Sequence, residues 1–340
     1  HLLADAFLRE RERGGSLSER GLGGFGILLG GLGLASLRLR GGLRERLQRL
    51  VQGHLRLLRQ RARLTGGNRS NRLSGGIQRL RSLLRGTVLE TRRVGYWWAN
   101  RMLQTTHPVE EKMALFWHGH FATHENKVRD YRKMLQQIDL FEKGATGSIR
   151  DLAIKVAQNP AMLYFLDAQY NVKGAANENF AREVMELFTM GVGNYTEDDV
   201  VASARAWTGH GIDWTTMTYQ FHSWDHDAGN KTFMGVTRAW DGPEIIDHIL
   251  LTNTTTRMTA CRFLTRKLWA YLAGDAPSDA LVTRLAQVLY DNNLEMLPWV
   301  RALLVSDEVY ATSARTGLVR SPIDFVVAVM HFTGYRAAAL

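Results

Sequence analysis

The sequence contains very little cysteine and proline, and its first 93 residues contain no lysine. The one cysteine, Cys261, excludes an intramolecular disulfide framework and any cysteine-rich zinc or iron–sulfur site. It does not fix the compartment, because many exported proteins also lack disulfides. Charged residues make up 22% and hydrophobic residues 45% of the 340 residues, as in globular proteins, which argues against wholesale disorder, collagen and coiled coil.

Positive charge is concentrated at the start of the chain. Residues 1–93 hold 20 arginines and 6 acidic residues, whereas the remaining 247 residues hold 23 basic and 27 acidic ones. The net charge of +10 therefore belongs to one segment, and a nucleic-acid partner for the whole chain is not expected. The apolar run Gly21–Ala35 is shorter than the ~20 residues that a bilayer-spanning helix needs, so no transmembrane helix is predicted.

Residues 1–92 are rich in arginine, glycine and leucine and contain no Lys, Met, Trp, Tyr, Pro or Cys. Three interpretations stay open. The segment is a basic arm for anionic lipid or nucleic acid, with an amphipathic helix over 41–63, or it is a solvated or disordered region without a partner. The third interpretation, out-of-frame translation of a GC-rich gene, is the one we favour, because such translation yields arginine, glycine and leucine but little lysine, tyrosine or methionine.

From about Arg93 the composition changes, and apolar residues recur at helical spacing. We predict a mainly α, multi-helix single domain over 93–340, with a small β-like or loop insertion near 212–236. Strand-like segments are expected at Tyr219–Phe221 and Thr232–Met234. Helices are predicted at 95–104, 106–117, 126–142, 147–158, 178–190, 197–208, 242–251, 255–273, 278–291, 294–306 and 322–333.

The first polar cluster is the pair His118 and His120. Two histidines at i and i+2 point to the same side of an extended chain, which is how many metal hydrolases present them. On a helix they lie about 200° apart and cannot share one ion. Gly119 between them favours a local break in the helix. The alternative is that both imidazoles are buried and bonded to the main chain.

The second cluster lies at 177–188. Asn177 or Asn179 is expected to cap a helix on which Glu178, Arg182 and Glu186 follow at i, i+4 and i+8, with Glu183 adjacent. These charges form either a surface ion-pair ladder or a buried network that orients the histidines.

The third cluster is the loop at 221–235, which contains His226, Asp227 and Lys231. A metal ion would bind the imidazole and the carboxylate, and Lys231 would pair with an anion or a carboxylate. The alternative is a polar turn. His210 and His248 stand singly and are expected to be structural or solvated.

These segments together resemble the bacterial domain of unknown function 1800 (DUF 1800) family over about residues 93–337. The resemblance rests on five blocks in order: Met113–Thr123, Asn177–Gly193, Tyr195–Gly209, His226–Gly235 and Arg320–Phe325. The polar signature of the family then falls on His118, His120, Asn177, Glu178, Asn179, Arg182, Glu183, Glu186, His226, Asp227 and Lys231. At His210 the sequence departs from the family, which usually has Trp there, and this argues against a ligand role.

The resemblance also implies a context for the protein. Members of this family are large, often exported bacterial proteins, which suggests a periplasmic or extracellular location. They are commonly encoded beside a sulfatase-like gene, whose product is therefore a candidate partner. The chain is expected to be truncated at its C-terminus.

Two functions remain as hypotheses. In the first, His118, His120 and His226 converge with Glu178 and Asp227 on one divalent metal, zinc or iron, in a hydrolase or an oxidoreductase. Glu183 or Glu186 then acts as general base, and Arg182 clamps an anionic substrate. In the second, the protein is a non-catalytic exported helical scaffold or partner-binding domain, and the polar residues form a buried network.

Overall fold

The computed structural model describes residues 90–213, 215–274 and 276–334, apart from the side chain of Arg315. The segment 1–92, with its predicted amphipathic helix, lies outside the described residues except for its last three. Its three interpretations therefore stay predictions.

Helices dominate the described part of the chain, as the apolar spacing predicts. Helix α1 spans 90–104. The next helices are α2 (Pro108–His120), α3 (Glu125–Val128), α4 (Tyr131–Gly144), α5 (Ile149–Ala157), α6 (Pro160–Phe165), α7 (Glu178–Glu183) and α8 (Glu197–Ala206). The last are α9 (Gly242–Asp247), α10 (Thr254–Leu272), α11 (Asp279–Asp291), α12 (Met296–Leu304), α13 (Thr312–Gly317) and α14 (Pro322–Thr333). Short 3-10 turns lie at Ala168–Tyr170, Ser223–Asp225 and Asp307–Tyr310, and π-helical turns lie at Val184–Thr189 and His248–Thr252.

Two small antiparallel sheets form the predicted insertion, which occupies 210–238 in the structure. Strand β1 (His210–Asp213) pairs with β2 (Thr218–Phe221), and β3 (Lys231–Phe233) pairs with β4 (Val236–Arg238). The segments predicted at 219–221 and 232–234 overlap β2 and β3. The sequence analysis did not predict β1 and β4.

Helix starts are where the capping residues predict them. The Asn177 side chain accepts the backbone N–H of Asn179 at the start of α7. Thr196 and Asp199 form a complete capping box before α8. Pro108 is the first residue of α2, where its missing N–H costs nothing.

Two local predictions were wrong. The helix predicted at 126–142 is interrupted, because Arg129 adopts a left-handed conformation (φ 51°) and the Asp130 side chain caps α4. Gly119 does not break α2, which continues to His120. The neighbouring Phe116 and Trp117 are buried in the core, and their burial outweighs the ~1 kcal/mol that a mid-helix glycine costs.

A hydrophobic core joins the helices, and its largest fully buried side chains include Trp117, Trp207, Trp240 and Trp299. Cys261 lies on α10 inside this core, and burial raises the pKa of its thiol to about 12. Within the described residues, no helix combines the length and apolar composition of a membrane span.

An ion-pair cluster anchors α1 to the bundle. The Arg101 guanidinium lies 2.5 Å from a carboxylate oxygen of Glu111 and 3.1 Å from one of Glu142. The Trp98 indole donates a hydrogen bond to Glu111. Both carboxylates are almost fully buried, so burial first, and then the charge of Glu111, raise the pKa of Glu142 to about 7. Arg101 opposes this only in part.

Glu142→Gln is therefore expected to stabilise the protein above pH 7. The folded state holds the Glu142 proton more tightly than the unfolded state, so wild-type stability falls as the pH rises from about 4.5 to about 7. The gain at pH 8 should be on the order of 1–2 kcal/mol and should vanish near pH 4.5. Urea unfolding across this pH range measures it. The exposed control Asp198→Asn should change stability by no more than about 0.5 kcal/mol, and an unchanged pH slope in Glu142→Gln would contradict the assignment.

Candidate functional site

The two histidines of α2 lie in different surroundings. Because they are two residues apart on a helix, their side chains point about 200° apart. The His118 ring packs edge-on against Trp98 and lies close to Phe141. Its Nδ1 atom is buried and has no hydrogen-bond partner among the described residues. Burial lowers the pKa of His118.

His120 is bonded to the main chain. Its Nε2 atom lies 3.0 Å from the carbonyl oxygen of Phe188, and since a carbonyl only accepts, Nε2 carries the hydrogen. Burial lowers the pKa of His120 to about 4, and the nearby Lys267 charge contributes. His120 is therefore a neutral imidazole that ties α2 to the π-turn Val184–Thr189.

The loop that carries the third polar cluster, residues 226–231, is fastened to the end of α8. The His226 ring donates from Nδ1 to the Thr208 carbonyl at 2.8 Å. The Asp227 backbone N–H donates to the Thr208 hydroxyl. The Asp227 carboxylate pairs with Arg205 at 2.7 Å, which lowers the pKa of Asp227.

The buried Lys231 side chain holds the 226–231 loop through its main chain. It is 2% exposed, and its ammonium donates to the main-chain carbonyls of Asp227 and Trp240, the latter at 2.8 Å. Burial lowers the pKa of Lys231. The nearest partners of this lysine are therefore carbonyl oxygens, where the sequence analysis expected an anion or a carboxylate.

Two charges of α7, Glu178 and Arg182, are accessible at the surface. Arg182 makes a bidentate pair with the exposed Glu197, at 2.8 and 2.6 Å, and a longer contact of 3.6 Å with Glu178. These contacts match the surface-ladder interpretation, with Glu197 in the place expected for Glu186. No described contact links these residues to a histidine.

The five residues predicted to bind metal are thus divided among separate settings: His118, His120, Glu178, and the pair His226 and Asp227. Within the described part of the chain, no group of three or more His, Cys, Asp or Glu side chains is arranged to hold a metal ion. Metal binding stays a prediction, which elemental analysis of the purified chain would test.

The residues predicted to be catalytic lie closer together. Glu183 is the last residue of α7, and the π-turn Val184–Thr189 that follows carries Glu186. Burial, and then the charge of Glu186, raise the pKa of Glu183. Single π-turns within helices occur frequently at functional sites.

The two carboxylates differ in their partners. The Tyr195 hydroxyl donates a hydrogen bond to Glu186. Burial, and then this contact, raise the pKa of Tyr195, so the phenol keeps its proton. Glu183 is partly buried and accepts no hydrogen bond from any described residue. Its carboxylate is therefore available to bind a ligand or exchange a proton.

Sequence reasoning missed a contact at His210. This residue is buried, and its ring lies 2.9 Å from the Tyr219 hydroxyl on one side and 2.9 Å from the Asp241 carboxylate on the other. The expectation of a structural histidine did not include either partner. Asp241 follows 31 residues later, and no local pattern links the two.

A family model described as "Protein of unknown function (DUF1800)" matches residues 40–339. The match begins inside the 1–92 segment, earlier than the resemblance over 93–337. No curated protein and no solved structure is detectably similar to the chain. The comparisons therefore identify a family of unknown function.

The burial of His120 predicts a loss of stability in acid. Between pH 6.5 and about 4, the unfolded chain binds a proton at this residue that the folded chain does not, so stability falls as the pH falls. His120→Gln keeps a donor for the Phe188 carbonyl and should reduce this fall by on the order of 1–2 kcal/mol. Thermal unfolding from pH 7 to pH 4 measures it. The exposed His331→Gln is the control, and an equally steep fall in His120→Gln would contradict the prediction.

Proposed function

The chain belongs to the DUF1800 family, and we propose that it is a hydrolase that works by acid–base catalysis through Glu183 and Glu186. The proposal rests on the surroundings of the Glu183 carboxyl group. This carboxyl group is partly buried, lies beside a second carboxylate and accepts no hydrogen bond from the described residues. Carboxyl pairs in unequal surroundings are typical of acid–base sites.

Each group has a separate role. The raised pKa of Glu183 leaves more of it protonated near neutral pH than an ordinary glutamate, so it acts as the general acid toward the leaving group. Glu186, oriented by the Tyr195 hydroxyl, activates the attacking water. Arg182 binds an anionic part of the substrate in place of Glu197, an exchange that costs little because Glu197 is 75% exposed.

Hydrolysis of a chromogenic panel of glycosides, carboxylic esters and phosphate esters tests this proposal. Glu183→Gln removes the proton-donating group while conserving shape, and it should reduce the rate by about 10²–10⁴-fold. Glu178→Gln, on the same helix and 47% exposed, is the matched control and should keep the wild-type rate.

A second readout does not need the substrate. Diazoacetamide reagents esterify protonated carboxyl groups, so Glu183 should react faster than Glu178 at pH 6.5, and Glu186→Gln should slow it by lowering the pKa of Glu183. Peptide mapping by mass spectrometry identifies the esters. Equal labelling of Glu183 and Glu178, or full activity in Glu183→Gln, would end the proposal.

A second candidate, the non-catalytic scaffold, is favoured by the way the 226–231 loop is held. Its signature residues His226 and Lys231 donate to main-chain carbonyls, and Asp227 pairs with Arg205. Side chains used in this way stabilise a fold and need no substrate.

If this loop is structural, Lys231→Met should be strongly destabilising. The substitution leaves the buried Trp240 carbonyl and the partly buried Asp227 carbonyl without this donor, and the expected loss is about 3 kcal/mol. Urea unfolding followed by circular dichroism measures it, with the exposed Lys173→Met as control. A loss below about 1 kcal/mol would show that the loop is not held by this lysine.

A further inference from the structure

His210 joins a tyrosine hydroxyl to a carboxylate. The Asp241 carboxylate, 2.9 Å from Nε2, accepts a hydrogen bond, so Nε2 carries the hydrogen. Nδ1 is then the acceptor, and the Tyr219 hydroxyl, 2.9 Å away, donates to it. Partial burial pushes the pKa of Asp241 upward, but the hydrogen bond and the charge of His210, together with the Gly242 backbone N–H and the charge of His226, outweigh burial and the net shift is downward. The arrangement thus has the order hydroxyl, imidazole, carboxylate found where a nucleophile is activated.

The first sheet sets the distance between Tyr219 and His210. Tyr219 lies opposite Ile212, and His210 lies opposite Phe221, so Tyr219 and His210 are diagonal neighbours on one face of the pair. The buried Trp207 packs edge-on against the His210 ring and fixes its orientation. Gly209 supplies the turn into β1 with φ 79°, where a Cβ atom would lie 2.6 Å from the His222 carbonyl oxygen.

The His210 ring differs from those of His120 and His226 because its Nδ1 atom has a partner that can give up a proton. Those two rings donate to carbonyl oxygens, which cannot give up a proton. The Nδ1 atom of His210 faces a hydroxyl that can. Burial, and then the charge of Asp241, raise the pKa of Tyr219, so its phenol needs a base in order to react near neutral pH.

We propose that Tyr219 is the nucleophile of an acyl-transfer site for aryl esters and similarly activated carboxylic esters, with His210 as general base and Asp241 as a positioning residue. The Tyr219 phenolate is a poor leaving group. Acyl transfer to Tyr219 is therefore favoured from donors whose own leaving group is less basic than tyrosine. The site shares no residue with the Glu183–Glu186 pair. The two proposals therefore stand or fall separately.

The step balances as an ordinary acyl transfer. The Tyr219 oxygen attacks the ester carbonyl carbon, and its proton passes to Nδ1 of His210. The carbon–oxygen bond to the leaving group breaks, and that group takes the proton from Nδ1. The products are O-acyl-Tyr219 and a phenol. Asp241 accepts the Nε2 hydrogen bond throughout and stabilises the imidazolium while it carries the extra proton.

p-Nitrophenyl acetate at pH 7.5 is the probe, and peptide mapping by mass spectrometry locates the acetyl group. Tyr219 should be acetylated at least about tenfold faster than Tyr96 or Tyr310. These two tyrosines are better exposed, each at 65%, so accessibility alone predicts the opposite order. Labelling of Tyr219 no faster than that of Tyr96 would overturn the proposal.

Two variants separate the base from the packing. His210→Gln retains an acceptor for Tyr219 and a donor for Asp241 but cannot take a proton, so acetylation should fall to the rate of Tyr96. Asp241→Asn, at a 43% exposed side chain, should slow it as well because the amide can donate to Nε2 and favours the other tautomer. Melting temperatures are measured alongside. If His210→Gln fails to fold, Asp241→Asn decides, and wild-type acetylation in either folded variant would refute the role of the imidazole.

Discussion

The buried ammonium group of Lys231 fixes the position of the loops around it. It has almost no access to water and is held by two main-chain carbonyls. A lysine cannot leave water unless hydrogen bonds replace its hydration. Lys231 finds these bonds at Asp227 and Trp240, so both stretches of chain have to stay within its reach. Trp240 directly precedes Asp241, and the contact between Asp241 and His210 follows from that position. The stabilisation of a buried charge thereby determines which side chains become neighbours.

Residues that look equivalent in the sequence differ in their hydrogen-bond partners. His120 and His226 donate from a ring nitrogen to carbonyl oxygens, whereas His210 accepts from a hydroxyl. The glutamates of the second cluster divide in the same way. Glu186 receives the Tyr195 hydroxyl, whereas Glu183 has no donor among the described residues. Glu183 and the His210 ring are thus the groups whose hydrogen bonds leave them able to gain or lose a proton.

Local rules predicted most of the helical frame, and long-range pairing accounts for most of the rest. Asn177, Thr196 and Pro108 each marked a helix start, because a cap depends on residues only a few positions away. Arg129 in a left-handed conformation gave no such signal. In the candidate site, the proximity of Glu183 and Glu186 could be read from spacing along one helix. The contact of Arg182 with Glu197 and the contact of His210 with Asp241 could not be predicted in this way. Each joins residues that come together only when the chain folds.

Cys261 has a practical consequence. It is the one thiol in the sequence, and burial on α10 keeps it protonated far beyond neutral pH. Maleimides and spin labels react with exposed thiolates, so they should leave the native chain unmodified. A cysteine introduced on the surface would then carry the label alone. Fluorescence or electron-spin distances between chosen helices can therefore be collected without first removing a native residue.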